Sequence, residues 1–118
     1  MEKIKYNQNH IILKIGAVSD FAFIILNGEV GVYLSMDYEN SNAKPNFILG
    51  KNEVFGELGI INDTLRTASI KSLTDVELLK IDKNELKKMI DGSPPFIQGL
   101  IRTLSYRLSS TSSIARKK

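Results

Sequence analysis

The apolar residues of this chain change their period once, at Asp82, and that change restricts the fold more than any other feature. Ahead of Asp82 they recur at every second position, or in short runs broken by turn residues, as β-strands require. Ile11, Leu13 and Ile15 share one face of such a segment, which Gly16 stops. Phe21 to Leu26 is a continuous apolar run, expected of a strand buried on both faces. Asn27-Gly28 follows it, the strongest two-residue hairpin signal, because both positions tolerate positive φ. The returning strand carries Val30, Val32 and Leu34 on one face; Asp37 to Asn46 reads as an exposed polar loop, and Phe47 to Leu49 as a strand before Gly50. Ala68 to Leu73 and Val76 to Ile81 read as two more strands, in a hairpin around Thr74-Asp75. Many short strands with regular turns predict a mainly β domain, either a barrel or a jelly roll.

Beyond that point the period becomes helical. Asp82-Lys83-Asn84-Glu85 has the pattern of a capping box, and Leu86, Met89 and Ile90 supply an apolar stripe. Gly92 is placed to end this helix, and Pro94-Pro95 cannot continue it. A second helix carries Ile97, Ile101, Leu104 and Leu108 at helical spacing. That stripe has two readings, docking on the β domain or pairing with a second chain as a short coiled coil. The Gly-Ser-Pro-Pro joint also has two, a hinge or an ordinary helix stop. The predicted organisation is one domain over residues 1–118, with a β-roll from about 4 to 82, helices from about 83 to 111 and a basic tail from 112 to 118.

Composition removes several function classes. A 42% hydrophobic and 25% charged share is ordinary for a soluble globular protein. The run from Phe21 to Leu26 is too short to cross a bilayer, and no signal peptide opens the chain, so a cytoplasmic location is expected. Cysteine is absent and His10 is the single histidine. Disulfides, thiolate zinc sites, cysteine nucleophiles and histidine-based catalysis therefore have nothing to build on, and no enzymatic role or catalytic cofactor is expected. The net charge of +3 is mild, and Arg116, Lys117 and Lys118 concentrate it at the end. Neither nucleic-acid nor membrane binding by this chain is expected from it.

The segment VFGELGIINDTLRTASI, residues 54 to 70, carries the chemistry. Phe55-Gly56 ends a strand, Leu58 to Ile61 makes one apolar helical turn, and Asn62-Asp63-Thr64 turns the chain back toward Ala68. The N–H groups that open such a turn favour an anion, and Gly56 lets a ligand come close to the backbone. Arg66, on the other limb, offers a guanidinium shaped to hold two phosphate oxygens. Glu57, acceptor-only when ionised, suits a sugar hydroxyl. One cation and a few amides match a single phosphate charge, and the GxxxxGK[ST] motif of triphosphate sites is absent. A simple surface ion pair between Glu57 and Arg66 is the competing explanation.

Phe55, Gly56, Glu57 and Leu58, followed by Arg66, Thr67, Ala68, Ser69 and Ile70, resemble the phosphate-binding cassette of the cyclic-nucleotide-binding domain family. The nine-residue interval between Glu57 and Arg66 is the family's usual one. FIILNGEVGVYL resembles the family's hairpin ahead of the cassette, and VELLKIDKNELKKMI its last strand and following helix. The resemblance implies a double-stranded β-helix, or jelly-roll barrel, holding a short phosphate-binding helix and followed by two C-terminal helices. It implies a regulatory domain that binds cAMP or cGMP and transmits binding by moving those helices to an effector domain or protein, with a homodimer as an option. Glu57 would accept a hydrogen bond from the ribose 2′-hydroxyl, and Arg66 would neutralise the cyclic phosphate. The N–H groups near Leu58 and Ala68 would bind the phosphate as well. Thr67 would approach phosphate and base, where a hydroxyl often accompanies tolerance of cGMP without excluding cAMP. The residue that caps the base comes from the last helix, where Tyr106 and Arg107 are the candidates.

The chain departs from the family pattern in three ways. It starts almost at the barrel, without the family's preceding helical segment, as a fragment or minimal domain would. Leu65 stands where many members have proline, and Gly59 replaces the usual alanine, which is expected to loosen the short helix. Two other functions fit the same fold: a scaffold that binds nothing, and the ligand-binding part of a dimeric transcription regulator lacking its DNA-binding domain.

Overall fold

The computed structural model describes residues 1–36 and 42–117, with 109–117 described as backbone. Residues 37–41 of the expected polar loop lie outside the described residues. In chain order the elements are β1 (Glu2–Tyr6), β2 (Ile11–Leu13), β3 (Phe21–Asn27), β4 (Val30–Tyr33), β5 (Phe47–Leu49), β6 (Val54–Phe55), α1 (Glu57–Ile61), β7 (Ser69–Ser72), β8 (Val76–Asp82), α2 (Lys83–Asp91) and α3 (Pro95–Lys117). No helix among the described residues is long and apolar enough to cross a membrane.

Two four-stranded antiparallel sheets form, in the orders β1-β8-β3-β6 and β2-β7-β4-β5. β1 pairs with β8, β2 with β7, β3 with β6 and β4 with β5, so the partners nest around a tip at β4–β5. A long hairpin folded over itself in this way is a jelly roll. The expected mainly β architecture with flanking helices is therefore the observed one. β1 is an addition: only Ile4 and Tyr6 point to the core from a lysine-rich stretch, which leaves a weak strand signal.

The two expected hairpins are not hairpins. β3 and β4 belong to different sheets, as do β7 and β8, so Asn27-Gly28 and Thr74-Asp75 are corners that carry the chain across the sandwich. The corners lean on each other: Leu73 N donates to Glu29 O at 2.9 Å, and Glu29 N donates to Thr74 Oγ1 at 3.1 Å. Gly28, at φ 94, sits between them, and a Cβ there would collide with Asp75 O.

Phe23, Ile25, Val30, Phe55, Ile70, Val76 and Leu78 fill the space between the sheets, with Phe23 and Phe55 stacked at 5.0 Å. A second cluster of Ala22, Ile60 and Ile81, with Leu86 against it, lies on the other face of β3 and β8. β3 is thus buried from both sides, as its unbroken apolar run requires. This second cluster seats α1 and α2 on the sandwich.

α2 starts as expected, with the Asp82 carboxylate accepting from Glu85 N at 2.8 Å. α3 opens at Pro95, where a missing N–H costs nothing. It runs to Lys117, past the end expected near residue 111, so Arg116 and Lys117 lie on the helix and not in a tail. Among the described residues Ser105 is its buried one, and Asn62 Nδ2 donates to Ser105 O at 3.3 Å. The stripe docks only along this line: Ile97, Leu104 and Leu108 stay exposed.

Candidate functional site

A cavity of about 320 Å³ opens between the β2-β7-β4-β5 sheet and α1. This lies within the range of small-ligand clefts, about 300–1,000 Å³. Strand periodicity builds its apolar wall, since Val32 and Leu34 of the β4 arm, and Phe47 and Leu49 of β5, each share a face. Leu13, Val54 and Ile70 extend that wall. The polar side comes from the segment between β6 and β7. Phe55, Gly56, Glu57, Leu58 and Gly59 line one limb, and Arg66, Thr67 and Ala68 line the other. Of the cassette residues singled out in the sequence, Phe55, Gly56, Glu57, Leu58, Arg66, Thr67, Ala68 and Ile70 face this one cavity, while Ser69 is fully buried and accepts from Ile15 N.

Gly56 turns the chain from β6 into α1 at φ 84, a left-handed conformation that glycine adopts freely. A Cβ there would stand 3.1 Å from both Arg66 Nη1 and Phe21 O. The backbone of Gly56 thereby comes close enough to receive Arg66. The guanidinium donates from Nη1 to Gly56 O and from Nη2 to Phe21 O. It is only 6% exposed, and its main chain is clasped as well, with Arg66 N donating to Ala17 O at 2.8 Å. Two of the five guanidinium donor positions are held by carbonyls.

No ion pair joins Glu57 to Arg66 within 4.0 Å among the described residues, so the surface-pair explanation does not describe this site. Both charges are instead strained by their surroundings. Burial pushes the Glu57 carboxyl above its ordinary value, while its own backbone N–H and the Arg66 charge pull the other way. Burial also lowers the Arg66 guanidinium from its ordinary value, opposed by Asp20 and by Glu57. Among the described residues neither the half-buried carboxylate nor the buried cation has a side-chain counter-charge within 4.0 Å, and an anion bearing hydroxyls would satisfy both together.

Tyr106 and Arg107 do not line the cavity, and Tyr106 is 70% exposed. Among the described residues, the α3 side chain that does line it is Leu108, the last member of the stripe already visible in the sequence. Sequence reasoning also missed the support from the β2–β3 loop and the start of β3, because Ala17, Asp20 and Phe21 reach Arg66 only through the fold.

The family model described as "Cyclic nucleotide-binding domain" matches residues 3–93. A CRP-like cAMP-activated global transcriptional regulator of Mycobacterium tuberculosis is 27% identical over 111 residues, which are 94% of this chain and 49% of the regulator. The cGMP-dependent protein kinase egl-4 of Caenorhabditis briggsae is 33% identical over 91 residues, 76% of this chain and 12% of the kinase. Among solved structures, the cAMP-bound form of the EAL enzyme Bd1971 superposes with a TM-score of 0.80 at 30% identity. It covers 98% of this chain and 30% of that one, and the cGMP-bound form agrees equally well. The chain thus spans about half the length of the CRP-like relatives and less of the others. With a family model spanning most of its length and a cassette gathered at one cavity, the chain belongs to the cyclic nucleotide-binding domain family.

Proposed function

We propose that the domain is a sensor for a cyclic mononucleotide, cAMP or cGMP, held in the cavity between α1 and the β4–β5 wall. The observation that carries this reading is a buried, carbonyl-held Arg66 lining the same cavity as a Glu57 that has no ion-pair partner among the described residues. Arg66 then neutralises the cyclic phosphate, with the N–H groups near Leu58 and Ala68 adding hydrogen bonds. Glu57 accepts from the ribose 2′-hydroxyl, and Thr67 stands at the junction of phosphate and base. Solved structures of a 30% identical relative with cAMP and with cGMP support both ligands.

Transmission runs through the C-terminal helices in this reading. α3 already touches the cavity at Leu108, and Tyr106 and Arg107 lie beside that residue, so a shift of the helix brings one of them over the base. The bend at Gly92 to Pro94 supplies the hinge. The output belongs to a cytoplasmic effector domain or protein contacted by these helices, or to a homodimer formed along the exposed part of α3. The domain itself carries no catalytic step; the likeness to the EAL enzyme covers 30% of that chain.

Calorimetric titration with cAMP and cGMP, against 5′-AMP, tests the reading. Arg66→Ala removes a charge-assisted contact worth about 1.5–3 kcal/mol, so binding is expected to weaken from ten- to more than hundredfold. Unchanged affinity in that variant would sink the assignment of Arg66, and no binding by folded wild type would favour a scaffold.

A further inference from the structure

The loop between β2 and β3 lies along the arginine limb of the cavity and grips it at several points. Arg66 N donates to Ala17 O and Gly16 N donates to Arg66 O, both at 2.8 Å, while Ile15 N donates to Ser69 Oγ at 2.9 Å. Within this contact Ser69 and Arg66 are buried, and the loop contributes a buried polar side chain of its own. Ser19, 5% exposed, donates its hydroxyl to Thr64 O at 2.8 Å, just ahead of Arg66.

Gly59 accounts for the fit. A methyl group there would overlap Ser19 Oγ outright, and would stand 2.8 Å from Ser19 Cβ and 3.0 Å from Thr64 O. The expectation that glycine in place of alanine loosens α1 is therefore corrected. The space of the missing methyl is filled from the neighbouring loop, which locks α1 to that loop. Thr64 closes the same corner, since its N–H donates to Gly59 O at 2.9 Å.

We propose that Ser19 is a positioning residue for Arg66. Seated in the space left by Gly59, its hydroxyl fixes the Thr64 carbonyl and so sets where the guanidinium is presented to a ligand phosphate. Glycine at 59 and serine at 19 then act as one unit: either alone spoils the packing, by a void or by a clash. The inference rests on the cyclic-nucleotide reading above and adds a residue that the cassette does not contain.

The test is ³¹P NMR of the bound cyclic phosphate at saturating cAMP and cGMP, with calorimetric affinities and ligand-free melting alongside. Wild type, Ser19→Ala and Arg66→Lys are compared. Ser19→Ala is expected to bind about three- to tenfold more weakly, the share of one lost hydrogen bond that reaches the ligand. Its ³¹P resonance is expected to move in the same direction as that of Arg66→Lys. The double variant Ser19→Gly with Gly59→Ala refills the space without restoring the hydroxyl. It is expected to melt near wild type while keeping the weakened affinity and the moved resonance, and it serves if Ser19→Ala fails to fold. A hydroxyl-free variant with the wild-type resonance, or a double variant with full affinity, would overturn this proposal alone. Failure of folded wild type to bind either nucleotide would overturn the cyclic-nucleotide reading and this proposal together.

Discussion

Arg66 is anchored by the carbonyls of Gly56 and Phe21, and Glu57 faces the same cavity without closing on it. Each charge is held ready at the expense of the free domain, and this gives Glu57 a measurable signature. Its carboxyl has a raised pKa in the folded state, so the folded state binds the proton more tightly than the unfolded one. Stability from this group is therefore complete below the ordinary carboxylate range and is lost as pH rises through the raised value. Glu57→Gln is expected to melt like wild type in acid and above it at neutral pH, while binding cyclic nucleotide more weakly. Melting curves across pH, with titrations at neutral pH, check both; a variant less stable than wild type at neutral pH contradicts the burial argument. The cassette residues were legible because their chemistry is written in one contiguous string with fixed spacing. Ser19 was not, because nothing near it in the sequence announces that its hydroxyl meets Thr64 across the fold. The same holds for Leu108: the stripe was readable, but which of its members reaches the cavity depends on where α3 lands.

At the scale of elements, α1 belongs to two environments at once. Glu57, Leu58 and Gly59 face the cavity, while Ile60 is fully buried against Ala22 and Ile81 on the far side of the sheet. Its five residues are too few to form a helix in isolation, so tertiary packing holds it. Ile60→Ala is expected to cost about 2–5 kcal/mol, a large share of the stability of a small domain. Urea unfolding measures this, and a loss under about 1 kcal/mol would mean that the site collapses around the truncation. The corners show where local signals end. Asn27-Gly28 correctly marks a tight turn with positive φ at Gly28. Whether the next strand pairs with the one just left, or crosses to the facing sheet, is settled by sandwich closure and by the contact between the two corners. β1 lacked a clear signal for a related reason. Lys3 and Lys5 lie on its outer face, and only pairing with β8 makes the segment a strand.

Over the whole molecule, α3 is the element with most freedom to respond. It meets α1 along Ser105, α2 through Arg102 and Gln98 at Asp91, and the cavity at Leu108, and leaves Leu104 exposed. The native chain has no cysteine, so paired spin labels can be introduced cleanly at Tyr106→Cys and Lys3→Cys. Cyclic nucleotide is expected to change the distance distribution between them; identical distributions with and without ligand would rule out the helix as transmitter. The nested pairing of strands has its own consequence, in time instead of space. Glu2 lies opposite Lys80, and Ile11 opposite Lys71, so the outer pairs require the first and last strands of the β region to meet. Chain entropy favours assembly from the β4–β5 tip outward, with such distant pairings slow to form. The arginine limb lies between β6 and β7, and its grip comes from the β2–β3 loop, so the pocket is completed only when the second sheet zips past it. A ligand that recognises the finished pocket acts after the folding barrier, leaving the refolding rate nearly unchanged and slowing unfolding, so that nucleotide lengthens the life of the domain without hastening its birth.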